Sequence, residues 1–496
     1  MTSASGCEPR RDLARHLPEG SVETRSRRVQ TAGRAWDDAL VSGQPRTSTE
    51  GGTVRRFGWV SALCAVALVG AVSVGTASAQ SGGGNAKEAL TASDVGITPT
   101  EIRIGVIADT GSSLAPGLFQ GSVDGVQAWA KYMNEKEGGL AGRKIVIDAY
   151  DSALDANKAR NAIIEACQKN FAIIGTSALF VNNVDDLVGC KDAKGAATGL
   201  PDFPFTTTEV AHQCSPVSYP INPSTLDCAT KDAKPQSYRG ALGATNYYLK
   251  KFGKNALHGL FLYPSDLKSA KNSQIPAFTA QQEAGIKQDA TFDVSARAQQ
   301  SAYTPFVQSM KDSQSTYARH GGNEAGMIAL MKEAKLQGVN TVKVWDCSLQ
   351  CYDKDILATP ETEGLYVWTS FLPFDETKSN PMLNNFIKYI GADKADGFST
   401  QAWASGVQFR DVVNSVVEAE GNNGLTRAAL LAAAPDLGDF DADGMLAPRD
   451  AGARVPSECY VLNQVKGGKF VRVFPKKAGT FECNKKDLYS IKLDLN

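Results

Sequence analysis

Histidine is scarce in this chain of 496 residues, which holds only four, and the familiar catalytic signatures are missing. No G-x-S-x-G, no H-E-x-x-H and no phosphate-cradling G-x-x-x-x-G-K-[ST] occurs, so the motifs give no footing to a nucleophile-elbow hydrolase, a helical zinc protease or a P-loop NTPase. Enzymes whose reacting pair meets only in space carry no such motif, and a secreted envelope hydrolase stays open on that ground. No motif asks for a cofactor. Net charge is also lacking: 52 basic residues face 53 acidic ones, leaving −1. That removes the field a polyanion binder needs, so no nucleic-acid partner is implied. Lysine is absent from residues 1–79, which contain ten arginines and seven acidic residues, and is plentiful afterwards.

The lysine-free segment reads as a leader. Arg55 and Arg56 precede an apolar run over residues 57–74 and a small-x-small site at Ala77-Ser78-Ala79, the pattern of a secretory signal peptide over 54–79. The run is also about long enough to span a bilayer, which makes an uncleaved membrane anchor the alternative. Residues 1–53 are then either a start codon placed too early or a disordered tail, and residues 80–100 form a flexible lead into the first strand. Cys64 follows Leu63, not a small residue, and does not fit a lipidation site. Export to the periplasm or cell envelope implies an oxidising compartment, and eight cysteines follow the cleavage site. Neighbour pairing joins Cys167 to Cys190, Cys214 to Cys228, Cys347 to Cys351 and Cys459 to Cys483. Zinc at Cys347 and Cys351 would need further ligands, and no histidine lies nearby.

From Ile102 to Ser177 the chain alternates strand and helix: IRIGVIADTGSS, a helix with Trp129 and Met133 on its core face, KIVIDAY, a second helix, then FAIIGTSAL. This is the pattern of a parallel sheet wrapped by helices, whose ligands bind beyond the carboxyl ends of the strands. A second series starts at Tyr238, with a helix expected over 238–252, LHGLFLY, a helix, a strand near 289–294, a helix over 323–336 and TVKVW. The fold class is therefore α/β, two Rossmann-like lobes with parallel-rich sheets joined by a hinge of several crossings. The expected division is 101–225 with 364–435 for the first lobe, and 236–363 with 436–496 for the second. Three strand-end loops of the first lobe offer hydroxyls and backbone N–H groups. These carry Thr110, Ser112 and Ser113; Thr176, Ser177 and Ala178; and Thr207 and Thr208. Such donors suit a carboxylate, although helix capping would use the same residues. Second-lobe candidates are Tyr263, Asp266, His320 beside Gly321-Gly322, and Asp346.

The opening IRIGVIADTGSS, the segment MNEKEGGLAGRKIVI and the later AIIGTS resemble the extracytoplasmic solute-binding proteins of type I periplasmic fold. The leucine/isoleucine/valine-binding group serving ABC importers is the nearest in pattern. Weaker echoes follow in order at SAYTPF (301–306), EGLY (363–366) and FDADGML (440–446). The resemblance implies that a small polar solute, such as an amino acid, amide or small carboxylate, is captured between lobes and handed to an ABC permease by a monomer. It also implies that Ser177 with Thr207 or Thr208 holds a carboxylate, while an acid near Asp346 and an aromatic face an ammonium group. A ligand sensor feeding a signalling receptor would use the same fold. DFDADG with Asp450 matches calcium-loop spacing, but Pro435 and Pro448 interrupt its flanks. Trp403 reads as core.

Overall fold

The computed structural model describes residues 89–113 and 115–495. The expected leader, the 1–53 extension, Cys7 and Cys64 lie outside the described residues, as do residues 80–88 of the 80–100 segment. Among the described residues no helix is long and apolar enough to cross a membrane.

Strand β1 (Glu101–Ala108) buries Ile102, Ile104, Val106 and Ile107 completely, so both its faces are covered. That continuous apolar burial is what a central parallel strand requires. It runs parallel to β2 (Lys144–Asp151) on one side and β3 (Ala172–Ile174) on the other, with β4 (Asp202–Phe203) outermost in the order β2-β1-β3-β4. Helices Gln120–Lys136 and Ala156–Lys169 make the two crossovers; Asp155 caps the second by accepting from the Lys158 amide at 2.8 Å. Against the first lies the long helix Gly397–Glu420, opened by a capping box of Asp396 and Ser399. Close approach needs glycine: a Cβ at Gly406 would sit 2.3 Å from the Trp129 ring. Trp403 packs with Tyr132 and Phe386 in this core, as expected.

Strand β5 (Gln236–Ala241) pairs antiparallel with the last strand of the chain, Leu488–Leu493, placing Tyr238 opposite Ile491. The helix expected from residue 238 therefore begins only at Gly243 and runs to Phe252. Tyr238 lies on the buried face of an alternating strand, a period its distant partner imposes. The second sheet contains β6 (His258–Pro264), β7 (Lys287–Val294), β8 (Tyr317–His320), β9 (Val344–Cys347) and β10 (Tyr366–Thr369), all paired in parallel. Asn323 caps helix Glu324–Leu336 through the Gly326 amide.

The small hairpin of β11 (Asp439–Phe440) and β12 (Arg449–Asp450) precedes β13 (Cys459–Lys466), which runs antiparallel between β10 and β14 (Lys469–Phe474). Short β15 (Glu482–Cys483) adds to β13. Because β10 pairs with β9 and β13, the chain leaves the second sheet after Thr369, not at Gly364. Residues 436–450 likewise stay near the first lobe, where Asp443 meets Arg410 and Leu446 bridges Phe371, and the second sheet resumes at Cys459. All four neighbour disulfides form: Cys167–Cys190, Cys214–Cys228, Cys347–Cys351 and Cys459–Cys483. In the would-be calcium loop, Asp443 is held by Arg410 and Asp450 accepts from the Ala453 amide.

Candidate functional site: a two-chambered cleft between the lobes

A buried carboxylate shapes the first-lobe wall. Asp109, just past β1, accepts from Ser152 Oγ at 2.7 Å, the Leu154 amide at 2.7 Å and the Leu179 amide at 2.8 Å. Burial raises its carboxyl above the usual range, while these donors pull the other way. The bonds fix two loops and bring Leu154 and Leu179 to the cleft. Leu154 is held at φ 55°, and Ala153 before it at 51°, a left-handed backbone that side chains rarely adopt. Beside them Phe119, Phe205 and Phe398 form a closed triangle, with ring centroids 6.1, 5.1 and 5.5 Å apart.

The facing wall comes from strand ends of the second lobe: Pro264 closing β6 and Leu267 after it, Gly321 and Gly322 after β8, Ser348 and Leu349 after β9. Together these enclose an outer chamber of about 280 Å³. An inner chamber of about 250 Å³ adjoins it, sharing Thr206, Thr208, Asn222, Ser273, Gln274, Ser348 and Leu349 with the outer one. Its further walls include Thr207, Arg319, Trp368 and Arg449.

The hydroxyl loops divide in their use. Thr207 and Thr208 line the cleft. The Thr207 hydroxyl is buried without a partner, whereas Thr208 donates to the Leu179 carbonyl at 2.9 Å. Thr176 donates to Asp202, which also binds Ser218 and meets His212 Nε2 at 2.7 Å, so it belongs to a closed internal network. Ser177 and Ala178 are fully covered beneath the surface, the Ser177 hydroxyl again without a partner. The loop of Thr110, Ser112 and Ser113 turns to Asp151, which accepts the Thr110 and Gly111 amides at 3.0 and 2.9 Å; these residues line neither chamber.

In the second lobe the candidates other than Asp266 stand behind the wall. His320 is buried; its Nδ1 accepts the Gly322 amide at 2.9 Å and its Nε2 donates to Tyr303 Oη at 3.0 Å. Burial drives its pKa down to about 4, so it is neutral and holds the Gly321-Gly322 turn. Tyr263 packs on Phe278 and lines neither chamber. Asp266 reaches the outer chamber but accepts from Ser295 Oγ and the Ala296 amide. Asp346 is fully buried and accepts from Tyr317 Oη at 2.6 Å, Tyr248 Oη at 3.0 Å and Arg319 Nη1 at 3.0 Å. It acts on the cleft through Arg319, whose guanidinium lies over Phe278 and Trp368. Burial is the largest single influence on the Arg319 pKa and pulls it down, but Asp346 together with Tyr317 and Tyr248 outweighs it and the net shift is upward.

The sequence reading passed over the ring triangle, the leucines and Arg449. The one local signal was apolar residues in the segment beyond a strand end, Leu118 and Phe119 after β1.

A family model described as periplasmic binding protein matches residues 101–469. The chain belongs to that family. The resemblance read from the sequence and the type I periplasmic-binding fold are both borne out. Among solved structures, a fatty acid ABC transporter substrate-binding protein from Thermomonospora curvata is 17% identical, with 76% of this chain and 92% of that one covered at a TM-score of 0.58. A leucine-binding protein from Thermotoga maritima is 16% identical, covering 78% and 99%, with a TM-score of 0.55. A solute-binding protein from R. palustris, in complex with 4-hydroxybenzoate, is 16% identical over 78% and 98%, with a TM-score of 0.56. At these identities the likeness speaks to fold. No curated protein matches by sequence.

Proposed function

We propose that this protein is the exported solute receptor of an ABC importer, closing its lobes around a small molecule with an apolar body and delivering it unaltered to a membrane permease. The ring triangle of Phe119, Phe205 and Phe398 carries this reading, because it gives the outer chamber an aromatic wall opposite Leu267 and Leu349. Covering such a wall with an apolar ligand contributes about 25 cal/mol per Å² of surface removed from water. The resemblance led to a polar solute, with an α-amino acid among the options. An ammonium group would need a free acid in the cleft, yet Asp346 is taken by Arg319 and Asp266 by the 295–296 turn. The reading therefore shifts to aryl or acyl compounds, in keeping with the solutes printed for the T. curvata and R. palustris neighbours. Thr207 and Thr208 are the polar contacts retained from the sequence.

Closure follows from ligand touching both walls at once, since a solute favours the closed form only by binding it better. Small-angle scattering tests this with benzoate, octanoate, their amides and leucine. The aryl and acyl compounds are expected to reduce the radius of gyration and raise Tm, with leucine doing neither. Compaction by leucine alone would overturn the apolar reading.

A further inference from the structure

The inner chamber contains two buried arginines in opposite electrical situations. Arg319 is paired with Asp346 at 3.0 Å. Arg449, on β12 where the chain turns back to the second lobe, is 5% exposed and forms no ion pair among the described residues. One terminal nitrogen donates to the Ile221 carbonyl. Its Nε and its other terminal nitrogen are buried and have no hydrogen-bond partner. Thr207, 3% exposed and lining the same chamber, has an unpartnered hydroxyl as well. A buried guanidinium with neither counter-charge nor filled donors is costly, and folded proteins rarely keep one without a use for it. Burial alone pulls its pKa down to about 10, so it stays charged at neutral pH.

We infer that the inner chamber is an oxyanion site, with Arg449 as the receptor and Thr207 as an accessory donor. A planar guanidinium with Nε and a terminal N–H both free presents the fork that matches two oxygens of one carboxylate. The chamber then carries one net positive charge, because the Arg319–Asp346 pair cancels. Its neighbour is the apolar outer chamber, with which it shares a border of Thr206, Thr208 and Asn222. The inference rests on the capture reading above and deepens it: the solute is an organic acid, its apolar body in the outer chamber and its anionic head at Arg449.

Isothermal titration calorimetry of the whole exported chain at constant ionic strength tests this, using sodium benzoate, sodium octanoate, their uncharged amides and sodium sulfate. At least one anion is expected to bind with one-to-one stoichiometry and to lose about tenfold or more in affinity in Arg449→Gln, the scale of a charge-assisted hydrogen bond. Thr207→Val, close in shape and retaining the arginine, is expected to weaken the same anion several-fold, and it carries the test if Arg449→Gln does not fold. Carboxylates binding without sulfate identify the site as the solute's head-group pocket. Sulfate binding equally well and competing with them identifies a free inorganic anion; both outcomes support the oxyanion site. The inference is overturned if no anion binds, if an amide binds as tightly as its acid, or if neither variant changes anion affinity. In those cases, compaction by the amides still decides solute capture separately.

Discussion

The outer chamber is walled by leucines and by rings already packed on one another, whereas the inner chamber holds Arg449 and Thr207 with hydrogen-bonding capacity to spare. The difference separates two contributions to binding. Area covered in the outer chamber supplies affinity with little demand on orientation, while unfilled donors in the inner chamber reward only a group with lone pairs in the right place. The same contrast recurs within the inner chamber, where Arg319 is satisfied and Arg449 is not.

Breaking that second contrast should have the largest effect. Asp346→Ala turns Arg319 into another unpaired buried cation and leaves Tyr317 and Tyr248 without an acceptor, so a stability loss of about 3–5 kcal/mol is expected by urea denaturation. Phe205→Ala opens the ring triangle and should cost about 3 kcal/mol, with weaker binding of octanoate and benzoate by calorimetry. Leu154→Gly separates packing from backbone: glycine relieves the left-handed strain, worth about 1 kcal/mol, so stability should hold or rise while affinity for the acyl probe falls.

The smallest effect concerns pH. Glu324, at the start of helix Glu324–Leu336, has its pKa pushed up to about 7 by burial and by Asp353 and Asp355. Its folded-state value lies above its unfolded one, so the native state prefers the protonated form. Stability linked to it is greatest below the unfolded value and is lost as pH rises through the folded one. Thermal melts should therefore show Glu324→Gln gaining on the wild type by about 1 kcal/mol as pH rises from about 5 to about 8. A constant difference across that range would assign the effect to something other than ionisation.

Local pattern made much of the fold legible. Continuous apolar runs marked β1 and β6, Asn323 marked a helix start, and short spacings paired the cysteines. The failures were non-local. Tyr238 reads as helical until Ile491 takes it into a strand, and EGLY reads as a return to the first lobe until β13 claims it for the second sheet. At the site, the sequence could mark Asp346 as a charge near a strand end. It could not show that two phenols and Arg319 converge on that carboxylate from other strands and helices. Arg449 was harder still, since what distinguishes it is a counter-charge that no distant segment among the described residues provides.

Native mass spectrometry of the exported protein, purified without denaturation, identifies the solute it retains and tests the account most directly. An aryl or acyl organic acid, lost from Arg449→Gln, is the predicted result. A free α-amino acid or a sugar, retained equally by wild type and variant, would contradict it.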